Sequence, residues 1–92
     1  MSAPTVTVLS RPGCQPCRAT YRDLTRRGLP YEAVDVDQTP EAVEMAMALG
    51  HSALPVVIVN GSTGVEESWS GYAPSRIEAL EGRLSSWRDE LE

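Results

Sequence analysis

The sequence predicts an α/β fold of order βαβαββα, a four-stranded mixed sheet flanked by three helices, and three observations carry that reading. Runs of β-branched residues bounded by turn signals mark strands at Thr5-Val6-Thr7-Val8-Leu9-Ser10 and Pro55-Val56-Val57-Ile58-Val59. Ile77, Leu80, Leu84, Trp87 and Leu91, at spacings of 3, 4, 3 and 4, form a helical stripe that marks the last element. Between residues 5 and 36 a strand, a helix and a second strand follow in succession. That is a βαβ unit, whose crossover is right-handed and whose strands run parallel.

The first strand stops at Arg11-Pro12-Gly13, a turn signal. From Gln15 to Arg27 the chain is polar and helix-compatible, with Cys17, Tyr21 and Leu24 at spacings of 4 and 3 and Gly28 where a helix stop belongs. Pro16 suits the first turn of that helix, where a missing N–H leaves nothing unpaired. Tyr31-Glu32-Ala33-Val34-Asp35-Val36 alternates as a second strand. Pro40 opens a second helix capped by Asp37-Gln38-Thr39 and stopped by Gly50, with apolar faces from Val43, Met45, Ala46, Met47, Ala48 and Leu49. Met45 and Met47 are expected to serve packing. The third strand runs into Asn60-Gly61, the strongest short hairpin signal in the chain, and Val65-Glu66-Glu67-Ser68-Trp69 returns from it. After Gly71-Tyr72-Ala73, Pro74 and Ser75 lead into the last helix, extended over residues 83–92. No repeat, linker or low-complexity tract interrupts the chain, so residues 1–92 read as one domain.

Apolar residues make up 41% of the chain and charged residues 23%, values that exclude a disordered segment, a collagen-like repeat and a disulfide-packed mini-protein. No apolar run approaches the ~20 residues needed to cross a bilayer. Met1-Ser2-Ala3-Pro4-Thr5 has neither the basic start nor the apolar stretch of a signal peptide, so a cytoplasmic protein with no membrane partner is expected. The formal charge of −5 is unevenly spread: residues 1–30 set five arginines against Asp23, and residues 31–92 set three arginines against twelve carboxylates. An acidic chain with a local basic patch is ill suited to nucleic acid, which wants a broadly positive face. It suits a site that meets an acidic or thiolate partner, and the patch surrounds the cysteines.

Cys14 and Cys17 sit three positions apart at the junction of the first strand and first helix, the context of a thioredoxin-like redox motif. A thiol attacks a disulfide only as thiolate, and an ordinary cysteine, with a pKa of about 8.5, is mostly protonated at neutral pH. The helix N-terminus supplies unpaired N–H groups and the positive end of the macrodipole at Cys14, and Arg11 and Arg18 add positive potential. Cys14 is therefore assigned as the exposed nucleophile. Cys17, one turn inside, is the more buried resolving thiol that displaces the reduced partner from a mixed disulfide. Two ligands and a single histidine, His51, do not complete a tetrahedral zinc site. A purely structural bridge would close so short a loop that it would constrain few unfolded conformations. His51 reads as a loop histidine, and Pro55, from periodicity alone, as an ordinary residue at a strand start.

Thr5-Val6-Thr7-Val8, Arg11-Pro12-Gly13-Cys14-Gln15-Pro16-Cys17, Gly28-Leu29-Pro30-Tyr31-Glu32, Ala48-Leu49-Gly50, Leu54-Pro55-Val56-Val57 and Trp69-Ser70-Gly71-Tyr72 together resemble the NrdH-type redoxins, glutaredoxin-sized proteins with thioredoxin-like behaviour. The resemblance spans residues 5–82, and Trp69-Ser70-Gly71-Tyr72 followed by Pro74 and Arg76-Ile77 is its most discriminating part. It implies a thioredoxin fold with Pro55 cis and the neighbouring backbone facing the cysteines to hold a peptide in extended form. It also implies electron delivery to class Ib ribonucleotide reductase or another disulfide protein, with no bound cofactor. Recharging would come from NADPH through thioredoxin reductase. Glutaredoxins typically hold glutathione with a Gly-Gly-x-Asp-Asp-like turn at the last helix, and the corresponding Ser70-Gly71-Tyr72-Ala73-Pro74-Ser75 lacks the acidic pair.

Three features depart from the family. Gln15-Pro16 stands between the cysteines where Val-Gln or Met-Gln is common, residues 60–68 are longer than the usual short hairpin, and a tail follows Gly82. Leu84, Trp87 and Leu91 of that tail are read as packing, with a heptad-like seam as the alternative. The partner-binding set is Arg11, Pro12, Gln15, Pro16, Leu54, Pro55, Trp69, Ser70, Gly71 and Tyr72, with Trp69 and Tyr72 expected to be partly exposed for docking. Arg18 and Arg22 share a helix face and read as solvated charges. The function expected is a monomeric dithiol–disulfide oxidoreductase. The alternatives are a glutaredoxin- or mycoredoxin-like reductase of low-molecular-weight thiol mixed disulfides and a non-catalytic thioredoxin-like binding module.

Overall fold

A computed structural model describes the backbone of residues 4–91 and the side chains of residues 4–84. Its elements are β1 (Thr5–Ser10), α1 (Gln15–Arg26), β2 (Glu32–Asp35), α2 (Pro40–Ala48), β3 (Val56–Gly61), β4 (Gly64–Ser70) and α3 (Pro74–Leu91). The sheet order is β2-β1-β3-β4. β1 pairs parallel with β2 (Val8 opposite Ala33) and antiparallel with β3 (Val8 opposite Val57), and β3 pairs antiparallel with β4 (Val57 opposite Trp69). This is the mixed sheet with three helices that the element order predicts, and the thioredoxin fold.

Alternation along the strands divides the core into two clusters, one on each face of the sheet. Val6, Val8, Val57, Val59 and Trp69 pack with Leu24 and Leu29 from the α1 side and with Ile77 and Leu80 of α3. Leu9, Val56 and Ile58 point the other way, onto Val36 and onto Ala42 and Ala46 of α2. β3 is buried on both faces, which is why its sequence is a continuous β-branched run. On α2 the residues against the sheet are the two small alanines, one turn apart. Met45 and Met47 lie off that face, 50% and 69% exposed, correcting their expected packing role. Thr39 stands at the N-cap of α2 without a side-chain bond. Both short helices end as predicted, with Leu29 N–H donating to Leu24 O and His51 N–H to Ala46 O, each at 2.9 Å. Of the last stripe, Ile77, Leu80 and Leu84 pack on the core, whereas the side chains of Trp87 and Leu91 lie outside the described residues.

The hairpin corrects a second expectation. Asn60 and Gly61 belong to β3, and the chain turns one pair later, at Ser62-Thr63. A turn at Asn60-Gly61 would place Trp69 opposite Ser52, beyond the strand, whereas the observed register sets it opposite Val57 in the core. Neither turn residue has a positive φ, so the twist is taken up by Gly64, at φ 124°, and by Glu66, left as an extra residue where the register shifts. The Glu66 side chain lies over Gly61, in space that a β-carbon would occupy. Arg83 of α3 then clamps this bulge, donating to Glu66 at 2.9 Å and to Glu67 at 2.6 Å.

α1 and α3, side by side on one face, are joined by a buried carboxylate. Asp23, 2% exposed in its side chain, accepts from Arg26 (2.6 Å), Arg27 (2.9 Å) and the Tyr72 hydroxyl (3.2 Å), and Arg27 also donates to Glu81 at 2.8 Å. Burial pushes the Asp23 carboxyl up. The hydrogen bonds from Arg26 and Arg27, the Arg27 charge and the Tyr72 hydroxyl outweigh it and hold the group below the usual carboxylate range. A carboxyl depressed in the folded state stabilises the fold above its unfolded pKa of about 3.9 and loses that contribution as pH falls through the folded value. Asp23→Asn is accordingly expected to lower stability in urea by about 2 kcal/mol at neutral pH, with the difference shrinking below about pH 4. A difference that stays constant down to pH 3 would mean the charge contributes nothing.

Candidate functional site

The site begins where β1 ends. The Arg11-Pro12-Gly13 turn returns the Cys14 N–H to Arg11 O at 3.3 Å and places Cys14 at the N-cap of α1, in extended conformation at φ −85°, ψ 112°. Cys14 O accepts from Arg18 N–H at 3.2 Å, and its Sγ accepts from Cys17 N–H at 3.3 Å. A sulfur thus occupies the position where a capping oxygen usually sits, on an unpaired donor at the positive end of the helix. Pro16, in the first turn, brings no N–H to compete for that sulfur, and its carbonyl accepts from Thr20 Oγ1 at 2.8 Å.

Cys14 and Cys17 are joined as a disulfide, with 5.2 Å between their Cα atoms. Cys14 is half-buried and Cys17 is 1% exposed, so an incoming sulfur reaches the first and not the second. Both line a groove with Arg11, Pro12, Arg18 and Tyr21. Arg11 is paired with Asp37 at 2.9 Å across half-exposed side chains. Its charge is therefore partly spent on that carboxylate, whereas Arg18, in the same groove, stands in no ion pair among the described residues. Among the described residues no cluster of three His, Cys, Asp or Glu could hold a metal ion.

A second, mostly apolar groove runs from Arg11 past Leu54 to Val36, Val43, Met47 and His51. Arg11 borders both grooves. The Leu54–Pro55 peptide is cis, Pro55 is buried, and its carbonyl accepts from Gly71 N–H at 2.8 Å. That bond ties Trp69-Ser70-Gly71-Tyr72 to the start of β3, and the tight corner at Gly71 takes a φ of 83°. His51 Nε2 and Ser68 Oγ lie 2.8 Å apart, a hydrogen bond that anchors the loop before Pro55 to β4.

The expected docking aromatics separate. Trp69 is 3% exposed and belongs to the core, where it faces Val57 in register and carries the Arg76 guanidinium 5.2 Å from its ring centre. Its placement corrects the expectation of partial exposure: β4 directs every second residue inward, and Trp69 is on the inward phase. Tyr72 is 41% exposed, but its hydroxyl is held by Asp23. Ser70, Gln15 and Pro16 are exposed, and Gln15 borders a depression alongside the first groove.

Tyr21 was legible only as part of a core stripe. In the structure it lines the cysteine groove, its hydroxyl bonded to Ser10 Oγ and its ring stacked on Tyr31 at 5.2 Å and 19°. The Asp23 network gave no sequence signal beyond a carboxylate four residues before Arg27.

The glutaredoxin family model matches residues 6–63. The glutaredoxin-like protein NrdH of Escherichia coli K12 is 40% identical over 75 residues, covering 82% of this chain and 86% of that protein. The solved structure of the E. coli NrdH-redoxin, a glutaredoxin-like protein with a thioredoxin-like activity profile, superposes with a TM-score of 0.74 at 41% identity, covering 83% of this chain and 93% of the other. Fasciola hepatica thioredoxin, at 21% identity and a TM-score of 0.70 over 88% and 80% of the two chains, shares the fold.

Proposed function

The chain belongs to the glutaredoxin family as an NrdH-type redoxin, a thiol–disulfide oxidoreductase, and from that premise we propose that it carries electrons from thioredoxin reductase to class Ib ribonucleotide reductase. The carrying observation is the Cys14 sulfur, half-buried on the Cys17 N–H at the N-terminus of α1, with Cys17 buried behind it. In the reduced protein that N–H and the helix end favour the Cys14 thiolate. It attacks one sulfur of a partner disulfide, and the other partner sulfur leaves as a thiolate and takes a proton. Cys17, losing its proton, then attacks Cys14, closing the bridge seen here and releasing the partner's second thiol. Two electrons pass to the partner, and NADPH restores them through the reductase.

Two features support thioredoxin reductase over glutathione as the source. Ser70 to Ser75 offers no carboxylate to clamp the tripeptide, and the Tyr72 hydroxyl in that segment is already engaged by Asp23. The reading places the protein in the reducing cytoplasm as a monomer. It is tested by NADPH consumption in two coupled assays on the same disulfide substrate, one with thioredoxin reductase and one with glutathione and glutathione reductase. Turnover with thioredoxin reductase alone, followed by support of class Ib ribonucleotide reductase, is the expected result. Turnover with glutathione alone overturns it.

A further inference from the structure

Cys14, Arg18 and Arg22 recur at every fourth position and so share one face of the α1 segment, with Tyr21 beside them. Arg18 and Arg22 are exposed and, among the described residues, stand in no ion pair, whereas Arg11, Arg26, Arg27, Arg76 and Arg83 all do. Arg18 and Tyr21 border both the cysteine groove and the adjoining depression that holds Gln15 and Arg22. The two hollows therefore continue from the sulfur along the helix as one track. The carboxylate on its border is Asp35, which already accepts from the Asp37 N–H.

We propose that this track receives an acidic stretch of a protein disulfide substrate, with carboxylates two and four residues from the cysteine that Cys14 attacks. The spacing follows from the two backbones. A helix rises 1.5 Å per residue, so Arg18 and Arg22 lie roughly 6 and 12 Å along the axis from Cys14. An extended peptide advances roughly 3.3 Å per residue, so its second and fourth residues reach the same distances and project on the same side. Residues 31–92, with three arginines against twelve carboxylates, repel such a segment, so an acidic partner is steered to the basic helix and arrives with its disulfide at Cys14. The inference rests on the oxidoreductase reading above and names the substrate class of that site. The electron balance is unchanged: the Cys14–Cys17 dithiol becomes a disulfide, and the partner's disulfide becomes two thiols.

The test uses the full chain, reduced beforehand and freed of reductant, so that no reductase enters. Its substrates are two oxidised peptides, Glu-x-Glu-x-Cys-x-x-Cys-x-Glu-x-Glu and the same peptide with glutamine for every glutamate, and glutathione disulfide as a small anionic competitor. Acid-quenched rates should favour the glutamate peptide about tenfold at low salt, with the advantage closing by about 0.5 M salt. Arg22→Gln should cut the glutamate-to-glutamine ratio to about threefold, and Arg22→Lys should preserve it. The readout is a ratio, in which any general change in Cys14 reactivity cancels. Equal rates for the two peptides, or a ratio untouched by Arg22→Gln, overturn the proposal and leave the oxidoreductase reading in place. Faster reduction of glutathione disulfide than of the glutamate peptide overturns it in favour of a small-anion site, and failure to reduce either peptide overturns both readings.

Discussion

Cys14→Ser is expected to reduce disulfide exchange to background, a loss of at least about a thousandfold, while Cys17→Ser keeps the first attack and stops at a mixed disulfide. A serine hydroxyl at the α1 N-cap still accepts the Cys17 N–H, so the fold and the cap survive and the loss reports on the nucleophile alone. The asymmetry follows from burial. An incoming sulfur reaches the half-buried Cys14, whereas Cys17, at 1% exposure, is open only to its neighbour. Intact-protein mass spectrometry after mixing each reduced variant with a disulfide peptide separates the roles. The peptide adduct should accumulate on Cys17→Ser and be missing from Cys14→Ser, and the reverse pattern would exchange the two assignments.

The second large effect is on stability. Trp69→Ala should cost about 3–5 kcal/mol, because it removes the largest side chain of the cluster between the sheet and α3 and leaves a cavity beside Val57, Ile77 and Leu80. Against a total of about 5–15 kcal/mol for a domain, that is a substantial share. Trp69→Phe guards against a variant that does not fold. It keeps an aromatic ring under Arg76 and deletes an indole N–H that has no hydrogen-bond partner, so it should cost only about 1 kcal/mol. Tyr72→Phe should likewise cost about 1 kcal/mol, the value of one hydroxyl on Asp23. Urea unfolding monitored by circular dichroism gives all three. A Trp69→Ala loss below 1 kcal/mol would return Trp69 to the surface role that its sequence context suggested.

How far the sequence could be read follows from where each signal arises. Strand β3, the βαβ unit and the redox pair are local patterns of side-chain type, and they appear in the structure at almost the predicted bounds. The positions of Trp69 and the hairpin turn depend on register, which is fixed across strands rather than along them. Asn60-Gly61 is a strong local turn former, but pairing Trp69 with Val57 is worth more burial than an ideal turn returns, and the turn moves. The methionines of α2 misled for a related reason. Apolar character predicts burial only for the face a helix turns to the sheet, and on α2 that face carries Ala42 and Ala46, which leaves Met45 and Met47 outside. Asp23, Tyr72 and Glu81 are distant in sequence, and only the packing of α1 against α3 brings them together.

The bulge at Glu66 bears on how the protein behaves in a crowd. β4 is a border of the sheet, and a straight border strand offers free N–H and C=O groups on which another chain can add. Here the ladder breaks step at Glu66, two adjacent carboxylates line the rim, and Arg83 fixes one of them on each arm of its guanidinium. A second strand laid along this rim would meet a kink and buried-charge costs before it gained a register of hydrogen bonds. The bulged hairpin thus closes the β4 border of the sheet to strand addition by another copy of the chain.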